Sequence, residues 1–150
     1  MIREATHADI APLLALAERM HGESRHADLL WDLPKMTSLM PGLIDNVGCL
    51  ALVAERDGVV IGGFLACEEE MFFSREKFSC DLAVFVAPEH RGGIAAARLI
   101  QAYVKWALSR GVRCVNAGVA SGINHDVSIA LFHRLGFVTT GVTLEYKEKS

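Results

Sequence analysis

The chain has 150 residues, 51% of them hydrophobic and 22% charged, and its 15 Lys and Arg against 18 Asp and Glu give a net charge of −3. This length suits a single domain, residues 1–150, that can bury a sizeable core. The composition excludes intrinsic disorder, which requires low hydrophobicity and high charge. Mild acidity and scattered basic residues also argue against nucleic-acid binding and against electrostatic attachment to a membrane surface.

The first third of the chain is predicted to be largely helical. A short strand at 2–5 precedes Thr6-His7-Ala8-Asp9, which has the pattern of a capping box, and apolar residues at helical spacing then predict a helix ending near Gly22. Residues 22–34 are predicted to form a loop around a short helix. Pro41-Gly42 is predicted to separate this region from a further helical turn at 43–47.

From residue 50 the pattern becomes that of a sheet. Strands at 50–55 and 59–67 flank Asp57-Gly58, a pair typical of a tight hairpin turn. The run 78–86 is apolar on both faces, as expected in the middle of a sheet. The remaining predicted elements are a helix at about 94–110, a strand at 112–119, a helix at 126–135 and one or two closing strands at 137–147. The fold class is therefore mixed α/β, with a right-handed parallel crossover between 79 and 119.

The cysteines and the N-terminus indicate the cellular setting. The cysteines are widely spaced in apolar runs, without a Cys-x-x-Cys pair, where free cysteine packs as a small hydrophobe. The first residues contain no apolar signal core, and no apolar run reaches the roughly 18 residues of a membrane span. We therefore expect a cytoplasmic protein with reduced thiols. The four cysteines of the chain are Cys49, Cys67, Cys80 and Cys114.

The segment most informative about function joins the strand at 78–86 to the long helix. Its sequence is VFVAPEHRGGIAAA, residues 84–97. Small side chains let an anion approach the unpaired N–H groups of the first helical turn, and Arg91 adds positive charge. The segment is neither a Walker loop nor a Rossmann fingerprint, because Gly-Lys-Ser/Thr and Gly-x-Gly-x-x-Gly are both absent. Residue chemistry alone leaves two interpretations, a phosphate cradle and a turn that serves only tight packing.

Two segments together indicate a family. Residues 84–97 resemble the acyl-CoA-binding motif of the GNAT acetyltransferase superfamily, Gln/Arg-x-x-Gly-x-Gly/Ala after a central strand. Arg91 fills the first position and Ala96 the last, whereas Ile94 stands where the middle glycine is usual. Residues 130–137, ALFHRLGF, resemble the superfamily's helix-to-strand ending, commonly A-L-Y-x-K/R-x-G-F. The element order agrees over essentially the whole chain.

The resemblance implies a fold, a reaction and a cofactor site. The fold is a mixed, mostly antiparallel sheet splayed between its fourth and fifth strands, with helices on both faces. The reaction is transfer of an acetyl group from acetyl-CoA to a primary amine of a small molecule or protein, with the pantetheine arm in the splayed gap. The residues implied to bind the cofactor are Val84, Phe85, Val86, Arg91, Gly92, Gly93, Ile94, Ala95, Ala96, Asn124 (or its neighbour His125) and Phe132.

Acetyl transfer to an amine needs a base and an oxyanion donor. The resemblance implies the backbone N–H of Val86 as the oxyanion donor. Asp81 is the preferred base, since burial at the start of an apolar strand raises a carboxyl pKa, and we expect it to face the same side as Ala83 and Phe85. The acidic residues 68–70, acting through a water, are the alternative bases.

One departure from the family pattern concerns the leaving group. The superfamily often protonates the departing thiolate from a tyrosine of the final helix, a position held here by Phe132. The thiolate must then leave unassisted or take its proton from water or another group. This departure also gives the alternative function, a non-catalytic acyl-CoA-binding or regulatory module on the same fold.

The acceptor is the least defined part of the site. The resemblance places the loop after the first helix beside the acceptor, so Glu23 and Trp31 are candidate contacts, and Asn116 is a polar residue that we expect to face the gap. Acidic loop residues suit a cationic amine such as a polyamine, an aminoglycoside or a protein N-terminus. No metal is expected, because no His, Cys and Asp set has ligand spacing. Action on aminoacyl-tRNA is disfavoured by the acidic charge. The resemblance allows a homodimer in which strand 142–148 pairs across a two-fold axis.

Overall fold

A computed structural model describes residues 1–149. The strands pair in the order β1-β2-β3-β4-β5, antiparallel throughout except for the parallel pair β4–β5. This is the mixed, mostly antiparallel sheet predicted from the sequence. The elements are β1 (Ile2–Glu4), α1 (Ile10–Glu23), α2 (Leu33–Asp45), β2 (Cys49–Arg56), β3 (Val59–Glu70), β4 (Lys77–Val86), α3 (Ala95–Ser109), β5 (Cys114–Asn116) and α4 (His125–Arg134), with one-turn 3₁₀ helices at His7–Asp9 and Pro88–His90.

Helices cover both faces of the sheet, because successive residues of its strands point to opposite sides. In β2, Leu50 and Leu52 pack into a core with α3 and Phe132 of α4. Ala51 and Val53, which alternate with them, pack into a second core with α1 and α2. The apolar run of β2 is therefore divided between two cores, as expected for a strand inside a sheet.

The predicted hairpin is confirmed. Asp57 and Gly58 both have positive φ, 51° and 76°, and lie between the last residue of β2 and the first of β3. Positive φ at both central residues matches the right-handed twist of two antiparallel strands. The Asp-Gly pair therefore sets the register of the two adjoining pairs, Arg56 with Val59 and Glu55 with Val60, and a bulge at Ile61 then shifts the remaining pairs by one residue.

The sheet splays between β4 and β5. The parallel pairing covers only three residue pairs and ends at Cys80 opposite Asn116. Immediately beyond this point β4 contains a bulge: Asp81 pairs with Ala66 of β3 and Ala83 with Leu65, so Leu82 is the extra residue. The second half of β4 thus keeps β3 on one side and has no strand on the other among residues 1–149.

Two differences from the predicted helices concern prolines. α2 is one continuous helix with Pro34 in its first turn and Pro41 inside it, not two turns separated at Pro41-Gly42. Proline is tolerated in a first helical turn, but an internal proline removes a backbone hydrogen bond. The fully buried side chain of Met40, in the α1–α2 core, is the tertiary contact that holds this part of the helix in place.

The C-terminal part of the chain also differs from prediction. β5 spans three residues instead of 112–119, and the described part of the segment predicted as closing strands, 137–147, contains no strand. Its apolar side chains, at Val138, Val142, Leu144 and Tyr146, are exposed. Alternating apolar residues form a strand only when a neighbouring strand pairs with them, and here β5 presents too short an edge. Within residues 1–149, no helix has the length and apolar character required to cross a bilayer.

Candidate active site

The turn before α3 exposes backbone N–H groups. Gly92 has a φ of +83°, a conformation that glycine adopts without steric cost. The first intrahelical bond runs from the N–H of Arg98 to the carbonyl of Ile94, which leaves the N–H groups of residues 95–97 without helical partners. The side chains there are methyl groups, and the N-cap residue Ile94 has no side-chain oxygen to compete. This end of α3 is therefore a polar, positively polarised surface of bare backbone.

A groove of about 370 Å³ lies beside this turn. Its walls are residues 89–95, the end of β2 and the beginning of β1. Arg56, Arg91 and Arg98 line it together with Glu55 and Glu89, so the charged side chains of the groove leave a small positive excess that adds to the polarity of the helix end. The groove has the charge needed to receive a pyrophosphate or phosphate group.

Arg91 joins three parts of the chain. Its Nε donates to the carbonyl oxygen of Val86 at 3.0 Å, and its two terminal nitrogens donate to the carboxylate of Glu23 at 3.2 and 2.6 Å. The guanidinium group lowers the pKa of Glu23. A second bidentate pair, Arg19 with Glu89, joins α1 to the same turn. Glu23, predicted as an acceptor contact, is thus bonded to the arginine of the turn before α3.

The direction in which the peptide groups of β4 point follows from the alternation of hydrogen bonds between β3 and β4. The N–H of Ala87 donates to the carbonyl of Ile61, and hydrogen-bonded and non-bonded pairs alternate along antiparallel strands. The peptide groups of Val84 and Val86 therefore point away from β3 and into the open gap. Those of Phe85 point to β3, and its side chain is buried against α1. The predicted contact between cofactor and Phe85 does not fit this register.

Asp81 lies where the parallel ladder ends. Its Oδ1 accepts a 2.8 Å hydrogen bond from the N–H of Gly118, beyond β5, and the Cys80 thiol lies 3.8 Å from the same oxygen. Burial raises the pKa of Asp81, and the hydrogen bond from Gly118 opposes this shift in part. The carboxyl group is thus a partly desolvated acid that bridges the two strands at the base of the gap.

The face predicted for Asp81 is wrong. Asp81 pairs with Ala66, which belongs to the core under α3, whereas Ala83 pairs with Leu65 in the core under α1 and α2. The extra residue Leu82 shifts the alternation by one, so that residues two apart across it point to opposite faces.

A buried tyrosine that the sequence analysis did not single out forms a second bridge. The hydroxyl of Tyr103 in α3 donates to the backbone carbonyl of Asn116 at 2.7 Å and lies 2.9 Å from Oγ of Ser79 in β4. Tyr103 and Ser79 are fully buried, and burial raises the pKa of Tyr103 to about 12. The sequence signal that could have identified Tyr103 is a residue with a hydroxyl group at a position on the apolar face of α3. Asn116 contributes its carbonyl group here, at the last pair of the parallel ladder.

The alternative bases differ from one another. Glu68 has a side chain that is only 6% exposed and makes two bonds to Arg110, at 2.6 and 2.9 Å. Arg110 lowers the pKa of Glu68, which makes that carboxylate a poor proton acceptor. Glu69 and Glu70 are exposed at the end of β3. Glu68 therefore fixes the end of α3 to the sheet.

The residues predicted on α4 are placed at its two ends. Asn124 is the N-cap residue and has a left-handed conformation, φ 44°, with His125 as the first helical residue. Phe132 is 6% exposed and contacts Phe137 edge to face, with ring centres 5.1 Å apart. The aromatic ring at the position of the family's tyrosine is thus part of the core.

The loop after α1 contacts the loop that follows β5. The N–H of Arg25 donates to the carbonyl of Ser121 at 2.8 Å, and its side chain forms an ion pair with Glu145. Trp31 is half-buried, and within residues 1–149 its buried indole N–H has no hydrogen-bond partner. No cluster of three or more His, Cys, Asp or Glu suited to a metal ion occurs in this part of the chain. The loop is thus joined to the segment after β5 through Arg25, while Trp31 packs against the core under α1 and α2.

Comparison with known proteins supports the resemblance. The Acetyltransferase (GNAT) family model matches residues 11–137. Comparison with curated protein sequences gave no match.

Solved structures share the fold at low sequence identity. A mutant of the BH1408 protein from Bacillus halodurans superposes with a TM-score of 0.81 at 17% identity over 99% of both chains. The aminoglycoside 6'-N-acetyltransferase AAC(6')-IG from Acinetobacter haemolyticus gives a TM-score of 0.75 at 21% identity, covering 100% of this chain and 99% of its own. The aminoglycoside N-acetyltransferase AAC(6')-Iy in complex with CoA gives 0.74 at 18% identity over 100% of both chains. The family match, which spans both motifs and most of the sheet, shows that the chain belongs to the GNAT acetyltransferase family.

Proposed function

We propose that the protein transfers an acetyl group from acetyl-CoA to a primary amine. The observation that carries the proposal is the open edge of β4, where the peptide groups of Val84 and Val86 point away from β3. The chain continues from this edge into the turn that ends at the bare N–H groups of residues 95–97. An extended pantetheine arm can form hydrogen bonds with the free peptide groups of β4, and a pyrophosphate can accept hydrogen bonds from the N–H groups at the start of α3. Arg91, Gly92 and Gly93 complete the phosphate-binding turn, and Asn124 at the start of α4 is a further contact.

The chemical step needs little beyond orientation and proton transfer. The neutral amine attacks the thioester carbonyl carbon, the new C–N bond forms, and the N–H of Val86 stabilises the oxyanion. Asp81 lies five residues before Val86 on β4, about 15 Å along the strand. The amine proton would therefore reach Asp81 through a chain of waters, on the carboxylate oxygen that Gly118 does not occupy. The C–S bond then breaks, and the CoA thiolate takes a proton from water, because Phe132 has none to give.

The acceptor proposed is a cationic amine. The carboxyl group of Asp81 at the base of the gap supports this choice, whereas Glu23 is paired with Arg91 and Asp32 caps α2. Glu23 and Trp31 remain candidate acceptor contacts from the loop after α1. Asn116, exposed at the end of β5, lies on the same edge. Four free thiols suit a reducing cytoplasm, where acetyl-CoA is found. We also propose one domain over residues 1–150 and leave a homodimer as a testable expectation.

The test combines binding with turnover. Calorimetry with CoA should show binding that is weakened in Arg91→Ala and unchanged in Arg113→Ala, an exposed arginine far along the chain from the turn. Acetyl-CoA is then incubated with a panel of polyamines, aminoglycosides and peptide N-termini, and acetylated amine and free CoA are measured together by chromatography. Equal amounts of the two products support the proposal, and absence of CoA binding would overturn it.

The buried ring of Phe132 favours one alternative, a non-catalytic acyl-CoA-binding or regulatory module. This function predicts CoA binding without turnover over the whole panel. A Phe132→Tyr variant separates the two functions, because a restored proton donor should raise the rate only in a protein that already catalyses the reaction.

A further inference from the structure

Three of the four cysteines lie in one row across the sheet. Cys49 of β2 is directly opposite Cys67 of β3, and Cys67 is in turn opposite Cys80 of β4. Residues paired across antiparallel strands point to the same face, here the face covered by α1 and α2. Cys114 is exposed on β5 and pairs with Phe78, outside the row.

The first pair in this row has the geometry that a cross-link requires. The sulfur atoms of Cys49 and Cys67 are 3.0 Å apart. The N–H of Glu68 donates to the carbonyl of Gly48 at 2.8 Å, which makes Gly48 and Glu68 a hydrogen-bonded pair and the adjacent cysteines a non-hydrogen-bonded pair. Such pairs have Cα atoms about 4.5 Å apart, within the range that a disulfide spans without backbone movement.

We propose that Cys49 and Cys67 are a reversible oxidation site, at which a peroxide converts the two thiols to a cross-strand disulfide. Cys49 loses its thiol proton and attacks one peroxide oxygen as the thiolate. The O–O bond breaks and the leaving hydroxide takes up that proton, so that a sulfenic acid and one water form. Cys67 then attacks the sulfenic sulfur, loses its proton and releases a second water. Two thiols and one hydrogen peroxide thus give one disulfide and two waters.

The surroundings of the thiols favour this order of events. Burial and the neighbouring sulfur raise the pKa of Cys67 to about 12, so Cys67 is the thiol that stays protonated at first. Burial and the nearby Asp81 carboxylate also raise the pKa of Cys80, which disfavours Cys80 as the attacking group. Cys49 and Cys67 are both partly exposed, which admits a small oxidant.

The cross-link lies away from the proposed thioester and pyrophosphate contacts, while Asp81 is paired with Ala66, the neighbour of Cys67, and points to the opposite face of the sheet. Cys80, level with the cysteine row, is six residues before Val86, which corresponds to about 20 Å along a strand. The disulfide would close the open end of the β2–β3 hairpin, whose other end is already fixed by Asp57-Gly58. Oxidation should therefore stabilise the sheet and leave CoA binding unchanged, so this inference stands independently of the proposed function.

The experiment follows intact mass and thermal unfolding of the whole protein before and after hydrogen peroxide. The parent, Cys80→Ser and Cys114→Ser should each lose two hydrogen atoms, and proteolysis should give a linked peptide containing Cys49 and Cys67. The oxidised parent should unfold about 5–10 °C higher than the reduced protein, as expected for a loop of this size. Dithiothreitol should reverse both changes.

Cys49→Ser and Cys67→Ser are the matched variants that lack one partner. With hydrogen peroxide, neither variant should show the loss of two hydrogen atoms that accompanies disulfide formation, and neither should unfold at a higher temperature. Their unfolding temperatures in dithiothreitol show whether they fold as the parent does. A linked peptide that joins Cys67 to Cys80 instead would overturn the assignment. Oxidation of exposed Cys114 to sulfinic acid while Cys49 and Cys67 stay reduced would also overturn it.

Discussion

Replacing Asp81 by asparagine tests the proposed base without removing its backbone contact. In Asp81→Asn the side-chain oxygen can still accept the 2.8 Å hydrogen bond from Gly118, but it can no longer take a proton at neutral pH. Loss of general-base catalysis typically lowers a rate about 10²–10⁴-fold. We expect kcat for amine acetylation to fall by this factor, with CoA affinity unchanged in calorimetry.

The same substitution should not destabilise the fold. Because burial raises the pKa of Asp81 in the folded chain, the ionised form is less favourable there than in the unfolded chain. The stability that this group contributes is complete below its unfolded pKa, about 4, and is lost as pH rises through the raised folded value. Asp81→Asn should therefore be at least as stable as the parent in urea at pH 7, and any advantage should disappear at pH below about 4.

Asp81→Ala supplies the control for the structural role. It leaves the N–H of Gly118 without its acceptor, which typically costs about 1–3 kcal/mol, or about 2–10 °C in unfolding temperature for a chain of this size. A parental kcat in Asp81→Asn together with a reduced kcat in Asp81→Ala would refute the role of Asp81 as the base. That outcome would make Asp81 a bridge between β4 and β5 and would require another base.

Three further predictions test other contacts of the site. Glu23→Gln should tighten CoA binding about 1.5–5-fold in calorimetry, because an exposed ion pair of about 0.2–1 kcal/mol no longer competes for Arg91; weaker binding would mean that Glu23 orients the arginine. Tyr103→Phe should lower the free energy of unfolding in urea by about 1–3 kcal/mol, since the Asn116 carbonyl loses its donor; an unchanged midpoint would contradict this bridge. Gly63→Ala should lower the free energy of unfolding by about 1–3 kcal/mol, because the new methyl carbon would lie 2.6 Å from Cδ2 of Leu13 in α1. Parental stability in thermal unfolding would show that α1 can move to make room.

The features predicted correctly from the sequence are those with a local chemical signal. Asp57-Gly58 defines a turn through its own backbone preference, and the small residues after Pro88 mark the start of α3 within one residue of its observed position. The family motifs are similarly short and contiguous. The pairing of β2 with β3 and of β3 with β4 follows from these local elements, because consecutive strands joined by short turns usually pair.

The errors arise where a contact distant in sequence decides the structure. A bulge adds one residue to β4 without changing its apolar pattern, so the sequence gives no sign that Leu82 separates the faces of Asp81 and Ala83. Pro41 remains inside a helix because the side chain before it is buried in a core built from other elements. The segment 137–147 has the alternation of a strand but no neighbouring strand of sufficient length.

The contacts that shape the site also lie outside the motifs that identify the family. Neither motif contains Tyr103, Asp81 or Glu23, yet these side chains hold β5 to β4 and α1 to the turn before α3. The proposed binding of a pantetheine arm requires the edge of β4 to stay open, so the point at which the strands separate must be fixed by bonds other than the ladder itself. The bridges at Asn116 and Gly118 lie at that point, so substitutions there should change donor binding while both motifs stay intact.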